Sequence, residues 1–118
     1  MAVSADRLPL SPDPKFGENA IVQWTLTDAD TATEVSLAEY ADRSVQVQGT
    51  FGGATITIQG SNDGTNWHTL NDFEGDALSF TSAGLRMIAE PTAYIKPVTA
   101  GGSSSSVVIT IAGLRKRF

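Results

Sequence analysis

The chain has 118 residues and 41% hydrophobic content, enough for one domain with a modest core and too much for wholesale disorder. It contains no cysteine, which excludes disulfides, thiolate nucleophiles and cysteine-ligated metals. A net charge of −5 argues against a nucleic-acid binder, and no window approaches the ~20 apolar residues that a membrane span needs.

The charge is uneven. Arg115, Lys116 and Arg117 form a basic C-terminal tip over 115–118. Without them the rest of the chain carries 5 basic against 13 acidic side chains, a net of −8. The N-terminus has no apolar h-region, so no secretory signal is expected there.

Residues 1–18 read as an extended N-terminal arm. Pro9, Pro12 and Pro14 fix φ, remove amide donors and push their predecessors to extended geometry. Leu8, Leu10 and Phe16 give the arm apolar contacts to make. It is either a plain terminus or a strap across a neighbouring subunit, and the three apolar residues favour the strap.

The β domain is expected over 19–114. Its first strand runs from Ala20 to Thr27, with Val22, Trp24 and Leu26 on one face. Asp28 to Thr33 is a polar turn cluster. Glu34 to Tyr40 reads either as a short strand edge or as one helical turn. From Ser44 to Gly60, Val45, Val47 and Phe51 alternate with polar residues before Gly52-Gly53, and Ile56 and Ile58 alternate after it. This pattern predicts a β-hairpin with a primed turn. Gly49 interrupts the apolar face, as at a bulge or a close backbone approach.

Ser61 to Asn66 is a second turn around Asp63-Gly64. Strands follow at Trp67–Leu70 and Ala77–Thr81. Ser82 to Glu90 is the one helix candidate, from a capping serine and the spacing of Leu85 and Ile88. Ala93–Thr99 is a strand that Pro97 confines to an edge or a strand end. Val107–Leu114 closes the domain. The sum is an all-β fold, an antiparallel β-sandwich of jelly-roll type with the N-terminal arm attached.

Chemistry is sparse. His68 is the single histidine, with no spacing for a zinc site or a catalytic triad around it. Asp28/Asp30 and Asp72/Glu74/Asp76 read as solvated loop acids, the latter lacking the features of an EF-hand. No cofactor or metal is implied, and no enzyme is expected. Trp67 is either a core or interface anchor or a platform for a ligand. The tip Arg115-Lys116-Arg117 is either a site for an acidic partner or phosphate, or a solvated terminus.

Two resemblances add to this. Ile58 to Leu70, with Ala93 to Val98 and Val107 to Ile109, resembles strand positions of discoidin-type jelly rolls. The ligand-reading loops of that family have no counterpart, so glycan or lipid binding is not carried over. Val45 to Ala54, Gly60 to Leu70, Leu78 to Thr81 and Tyr94 to Pro97 together look like small structural proteins of tailed bacteriophages, head decoration (cement) proteins among them.

That second resemblance implies a virion protein on the capsid exterior. Its partners would be the major capsid protein and its own copies, a trimer being favoured, with no nucleic acid and no membrane. Leu8, Leu10, Phe16, Trp67, Arg115, Lys116 and Arg117 are the partner-binding candidates. The alternative is a carbohydrate-binding module of a phage fibre or surface protein, using Trp67, Asn62, Asp63 and Asn66.

Overall fold

The computed structural model describes residues 2–7, 18–28, 30–37, 40 and 42–115; for 18, 19, 114 and 115 it describes the backbone. These residues form β1 (Ala2–Val3), β2 (Asp6–Arg7), β3 (Glu18–Thr27), β4 (Thr31–Ala32), β5 (Val35–Ser36), β6 (Asp42–Thr50), β7 (Thr55–Ser61), β8 (His68–Thr69), β9 (Ser79–Phe80), β10 (Gly84–Ile88), β11 (Tyr94–Ala100) and β12 (Ser106–Arg115).

The first sheet has the order β10-β6-β12-β3-β2. The second has the order β5-β11-β7-β8, with β9 also on β7. Neighbours within both sheets are antiparallel, while β1 and β4 form a separate parallel pair. The chain changes layers repeatedly: β3, β6, β10 and β12 lie in the first sheet, and β5, β7 and β11 in the second. The last strand returns between β3 and β6, which is jelly-roll topology.

The alternating residues of the sequence supply the core. Val22, Trp24 and Leu26 of β3 face Ile56, Ile58 and Ile95 from the other sheet, together with Val45, Val47, Ile109 and Ile111 of their own. Trp24 is fully buried, and its indole N–H donates to the carbonyl of Thr33 at 2.9 Å. That bond ties the segment after β4 to the core and satisfies the one polar atom of the ring.

The expected hairpin is corrected. The turn itself forms, with Gly52 at φ +57°, Gly53 at φ +87° and the Ala54 N–H donating to the Phe51 carbonyl at 2.8 Å. The flanking strands nevertheless do not pair. β6 pairs with β10 and β12, whereas β7 pairs with β11, β8 and β9. Gly52-Gly53 is therefore an arch between sheets. Alternation tells which side chains face the core, and it reads the same whether two strands lie side by side or face one another across it. Val45, Val47, Ile56 and Ile58 are buried as expected, while Phe51 is half-buried.

The expected helix is also corrected. Gly84–Ile88 is β10, paired with β6 along its whole length. Three-residue spacing suggested that Leu85 and Ile88 share a face, but Ile88 is buried and Leu85 is exposed. A single helical turn has little stability alone, and the edge of β6 offered it a ladder of hydrogen bonds. Gly49 marks a close approach: a Cβ there would lie 2.3 Å from the Ser106 carbonyl oxygen. Glu34–Tyr40 resolves as the short strand β5 followed by a turn in which the Tyr40 N–H donates to the Leu37 carbonyl. Pro97 lies where β11 has a paired neighbour on one side, since β5 covers just Tyr94 and Ile95.

Residues 2–7, the start of the expected arm, lie on the chain's own fold. β1 joins β4, β2 joins β3, and Val3 and Ala5 pack on the core. Leu8, Leu10 and Phe16 lie outside the described residues.

Among the described residues, one charged side chain is inside. Arg43 is 1% exposed, and burial pulls its pKa below the ordinary value. Its Nε donates to the Tyr40 carbonyl at 2.7 Å and its Nη2 to that of Leu37. Nη1 has no partner among the described residues. The guanidinium thus anchors the 37–40 turn against the inner face of β6.

Two substitutions test this core. Ile56→Ala should lower unfolding free energy by about 2–5 kcal/mol through lost burial and a residual cavity. Arg43→Met keeps the length of the side chain but removes the donor to the Tyr40 carbonyl and one of the two donors to the Leu37 carbonyl, at about 1–3 kcal/mol. Urea unfolding of both variants measures the two losses, and an unchanged midpoint for Arg43→Met contradicts the anchoring role.

Candidate interaction surface

The outward positions of the first sheet follow from its register. They are Leu85 and Met87 on β10, then Ser44, Gln46 and Gln48 on β6. Next come Val108, Thr110 and Ala112 on β12, and Ile21, Gln23 and Thr25 on β3. These are uncharged, in a chain that is 18% charged, while Asp42 at the start of β6 and Asp6 on β2 stand on the same face at its margins. The polar groups on this face bond one another: Gln23 donates to Thr110 at 3.0 Å and Gln46 to Gln48 at 3.1 Å.

Two of the exposed large apolar residues, Leu85 and Met87, lie at one margin of that sheet. Among the described residues the exposed set is Phe73 at 66%, Leu85 at 66% and Met87 at 42% exposure. Leu85 and Met87 stand on the edge strand β10. Phe73 stands on the loop after β8, which an ion pair ties to the same strand, with Arg86 Nη2 2.6 Å from Asp72 Oδ2. The Arg86 guanidinium also lies 5.4 Å from the centre of the Phe80 ring. The one charge of β10 is thus matched within the chain.

The loop acids are engaged locally. Asp72 Oδ1 accepts from the Glu74 and Asp76 amides at 2.9 Å each. Arg86 first, and then the Asp76 amide, hold the Asp72 carboxyl below its ordinary value. In the turn after β7, Asp63 accepts from the Thr65 and Asn66 amides, from the Asn66 side chain and from the Ser61 hydroxyl, all within 2.8–2.9 Å. These bonds, led by those from the amides, hold its carboxyl far below the ordinary value. Asn62 accepts from the Ala93 amide at 3.0 Å. No cluster of three or more potential metal ligands occurs among the described residues.

Of the residues expected to bind a partner, Trp67 is half-buried beside the second sheet, with the Lys96 ammonium 4.3 Å from its ring centre. Arg115 ends β12, its backbone in register with Glu18, and Lys116 and Arg117 lie outside the described residues. Sequence reasoning missed Phe73, Leu85 and Met87. The alternation of Leu85 and Met87 with Arg86 was the available signal, and the helical reading of that stretch concealed it.

No protein-family model matches the chain, and no curated protein matches it. Solved structures do match in fold. One is the SPBc2 prophage-derived protein YomS, with 10% identity and a TM-score of 0.60, covering 86% of this chain and 99% of that one. Another is IMPa from Pseudomonas aeruginosa, solved with an O-glycopeptide, with 13% identity and a TM-score of 0.44, covering 87% of this chain and 13% of that one. Peruvianin-I, a cysteine peptidase from Thevetia peruviana latex, aligns at 13% identity and a TM-score of 0.40, over 83% of this chain and 52% of that one. The two looser alignments carry no weight.

The depressed aspartates set the response to acid. Asp63 and Asp72 titrate lower in the folded chain than in the unfolded one. Their stabilisation is full above the ordinary value of 3.8 and is lost as pH falls through the depressed folded values. Melting temperature should therefore hold from neutrality down to about pH 4 and drop below it. Asp72→Asn should shrink that drop, as thermal melts between about pH 2 and 7 will show.

Proposed function

We propose that this protein is a structural protein of a tailed-phage virion, a head decoration (cement) protein. It binds the capsid exterior through the outer face of its first sheet and makes no catalytic contribution. The observation that carries this reading is the run of uncharged outer positions across β10, β6, β12 and β3, with Leu85 and Met87 exposed at its edge. Surface that is mostly uncharged and partly apolar marks protein contact. The likeness of fold to a prophage-derived protein, over nearly the whole of both chains, supports a phage setting.

Size argues for several copies acting together. Strands ~4.8 Å apart and five residues of ~3.4 Å each give the face a footprint of about 300 Å². A stable interface covers about 800 Å² per partner. A homo-oligomer, a trimer by the family resemblance, multiplies such contacts through avidity.

The carbohydrate reading is weaker on this geometry. Asn62, Asp63 and Asn66 hold their own turn together, and Lys96 covers the Trp67 ring.

Leu85→Ser with Met87→Ser tests the proposal. Both side chains are exposed, so stability should move by less than about 1 kcal/mol. Affinity for purified empty heads of the parent phage should fall at least about tenfold, equal to ~1.4 kcal/mol. Unchanged head binding, or selective capture of a glycan by the wild-type chain, would refute the reading.

A further inference from the structure

The edge of a sheet presents a row of backbone donors and acceptors, and folded chains blunt it with very short strands, proline or outward charge. Among the described residues, this protein blunts its edges unequally. The first sheet ends on β10 and β2, and the second on β5 and β8. β2, β5 and β8 have two residues each. β10 has five, Gly84 to Ile88, paired with β6 along their whole length and with no strand on the other side. It contains no proline, and its outward side chains are the exposed Leu85 and Met87.

The open backbone groups of β10 can be assigned by residue. The Ala89 amide donates away from β6, to the Asn71 carbonyl at 2.9 Å. In an antiparallel strand the amide and carbonyl change sides from one residue to the next. Leu85 and Met87, which share the parity of Ala89, therefore also turn theirs away from β6. Arg86 alternates with them, and its Nη2 lies 2.6 Å from Asp72 Oδ2, which holds the charge off the outer face.

We propose that β10 pairs with β10 of a second copy, antiparallel about a two-fold axis at Arg86, and so joins the two first sheets edge to edge. The inference rests on the homo-oligomer and the docking face of the proposed function and names the seam between copies. The occupant is a second copy because an antiparallel edge is complementary to itself. The register that pairs both open residues sets Leu85 of one copy opposite Met87 of the other, and the reverse, with amide and carbonyl exchanged in each pair. The two Arg86 side chains that meet at the axis each bring Asp72 as counter-ion, so the seam is charge-balanced.

This pairing also accounts for two apolar side chains at the margin of a polar face. In the pair they become its centre, flanked on each side by Ser44, Gln46 and Gln48 of β6. An apolar centre in a polar surround is the anatomy of a protein contact. The footprint of ~300 Å² per copy becomes about 600 Å², against ~800 Å² for a stable interface. An edge that pairs with itself closes after two copies, so the unit is a dimer and not the trimer of the family resemblance.

Single cysteines test the register, because the chain has none of its own. L85C and M87C sit at exposed positions, and their melting temperatures are checked against wild type. In the proposed register, residue 85 of one copy and 87 of the other lie ~5.5 Å apart at Cα, within the span of a disulfide. The two residues 85 lie ~7–8 Å apart, beyond that span, as do the two residues 87. An equimolar mixture of the two variants, mildly oxidised at high micromolar concentration, should give the mixed covalent dimer at least about tenfold over either homodimer, read by intact mass.

A mixed dimer no more abundant than random pairing gives, or no covalent dimer at all, overturns the inference. Head binding separates this outcome from the fate of the proposed function. If cross-linking is random while L85S/M87S loses head binding, the docking face stands and the seam falls. If the mixed dimer dominates while L85S/M87S binds heads fully, the seam stands and the docking face falls.

Discussion

The insertion of β12 between β3 and β6 holds the two ends of the chain in one sheet. Arg115 is in register with Glu18, and Ser106 with Thr27. On its other side, Leu114 to Ser106 run against Asp42 to Thr50. Val107, Ile109 and Ile111 then face the core between Val22, Trp24 and Leu26 on one flank and Val45 and Val47 on the other. Without the last strand, the first sheet is split and the outer face has no continuous surface. Loop closure on that scale costs entropy before any pairing rewards it, so contacts this distant in sequence form late and slowly.

The close approach of neighbouring backbones sets the remaining tolerances. Gly49 lies against Ser106 and Val107 where β6 meets the start of β12, and Gly52 lies against Ser103. A Cβ at Gly52 would sit 2.2 Å from the Ser103 carbonyl oxygen, and the Ser103 amide donates to the Gly52 carbonyl at 3.0 Å. The arch and the loop before β12 are thus joined by backbone alone. Arg43 does comparable work at the other end of β6, where its guanidinium holds two carbonyls of the 37–40 turn.

Charge is distributed by architecture. Most described acids sit in turns and loops, and on the outer face of the first sheet they are confined to its margins, at Asp42 and Asp6. Gln, Thr and Ser on that face keep it soluble without creating a field that repels another acidic surface. The turn after β7 is rigid for the same reason that it is a poor ligand site: its polar groups already bind one another.

The sequence by itself determined the fold class, the inward faces of β3, β6, β7 and β12, and the polar turn at Ser61–Asn66. Period-two alternation and turn chemistry are local properties, so they can be read residue by residue. Which strands pair was decided only in three dimensions. Alternation around Gly52-Gly53 is the same for a hairpin and for an arch, and the choice depended on β11 and β12, strands much later in the chain. The same held for Ser82 to Glu90, where a strand formed because the edge of β6 was free to receive it. The candidate surface was illegible for that reason. Leu85 and Met87 become the edge of a mostly uncharged face only after β10 docks on β6.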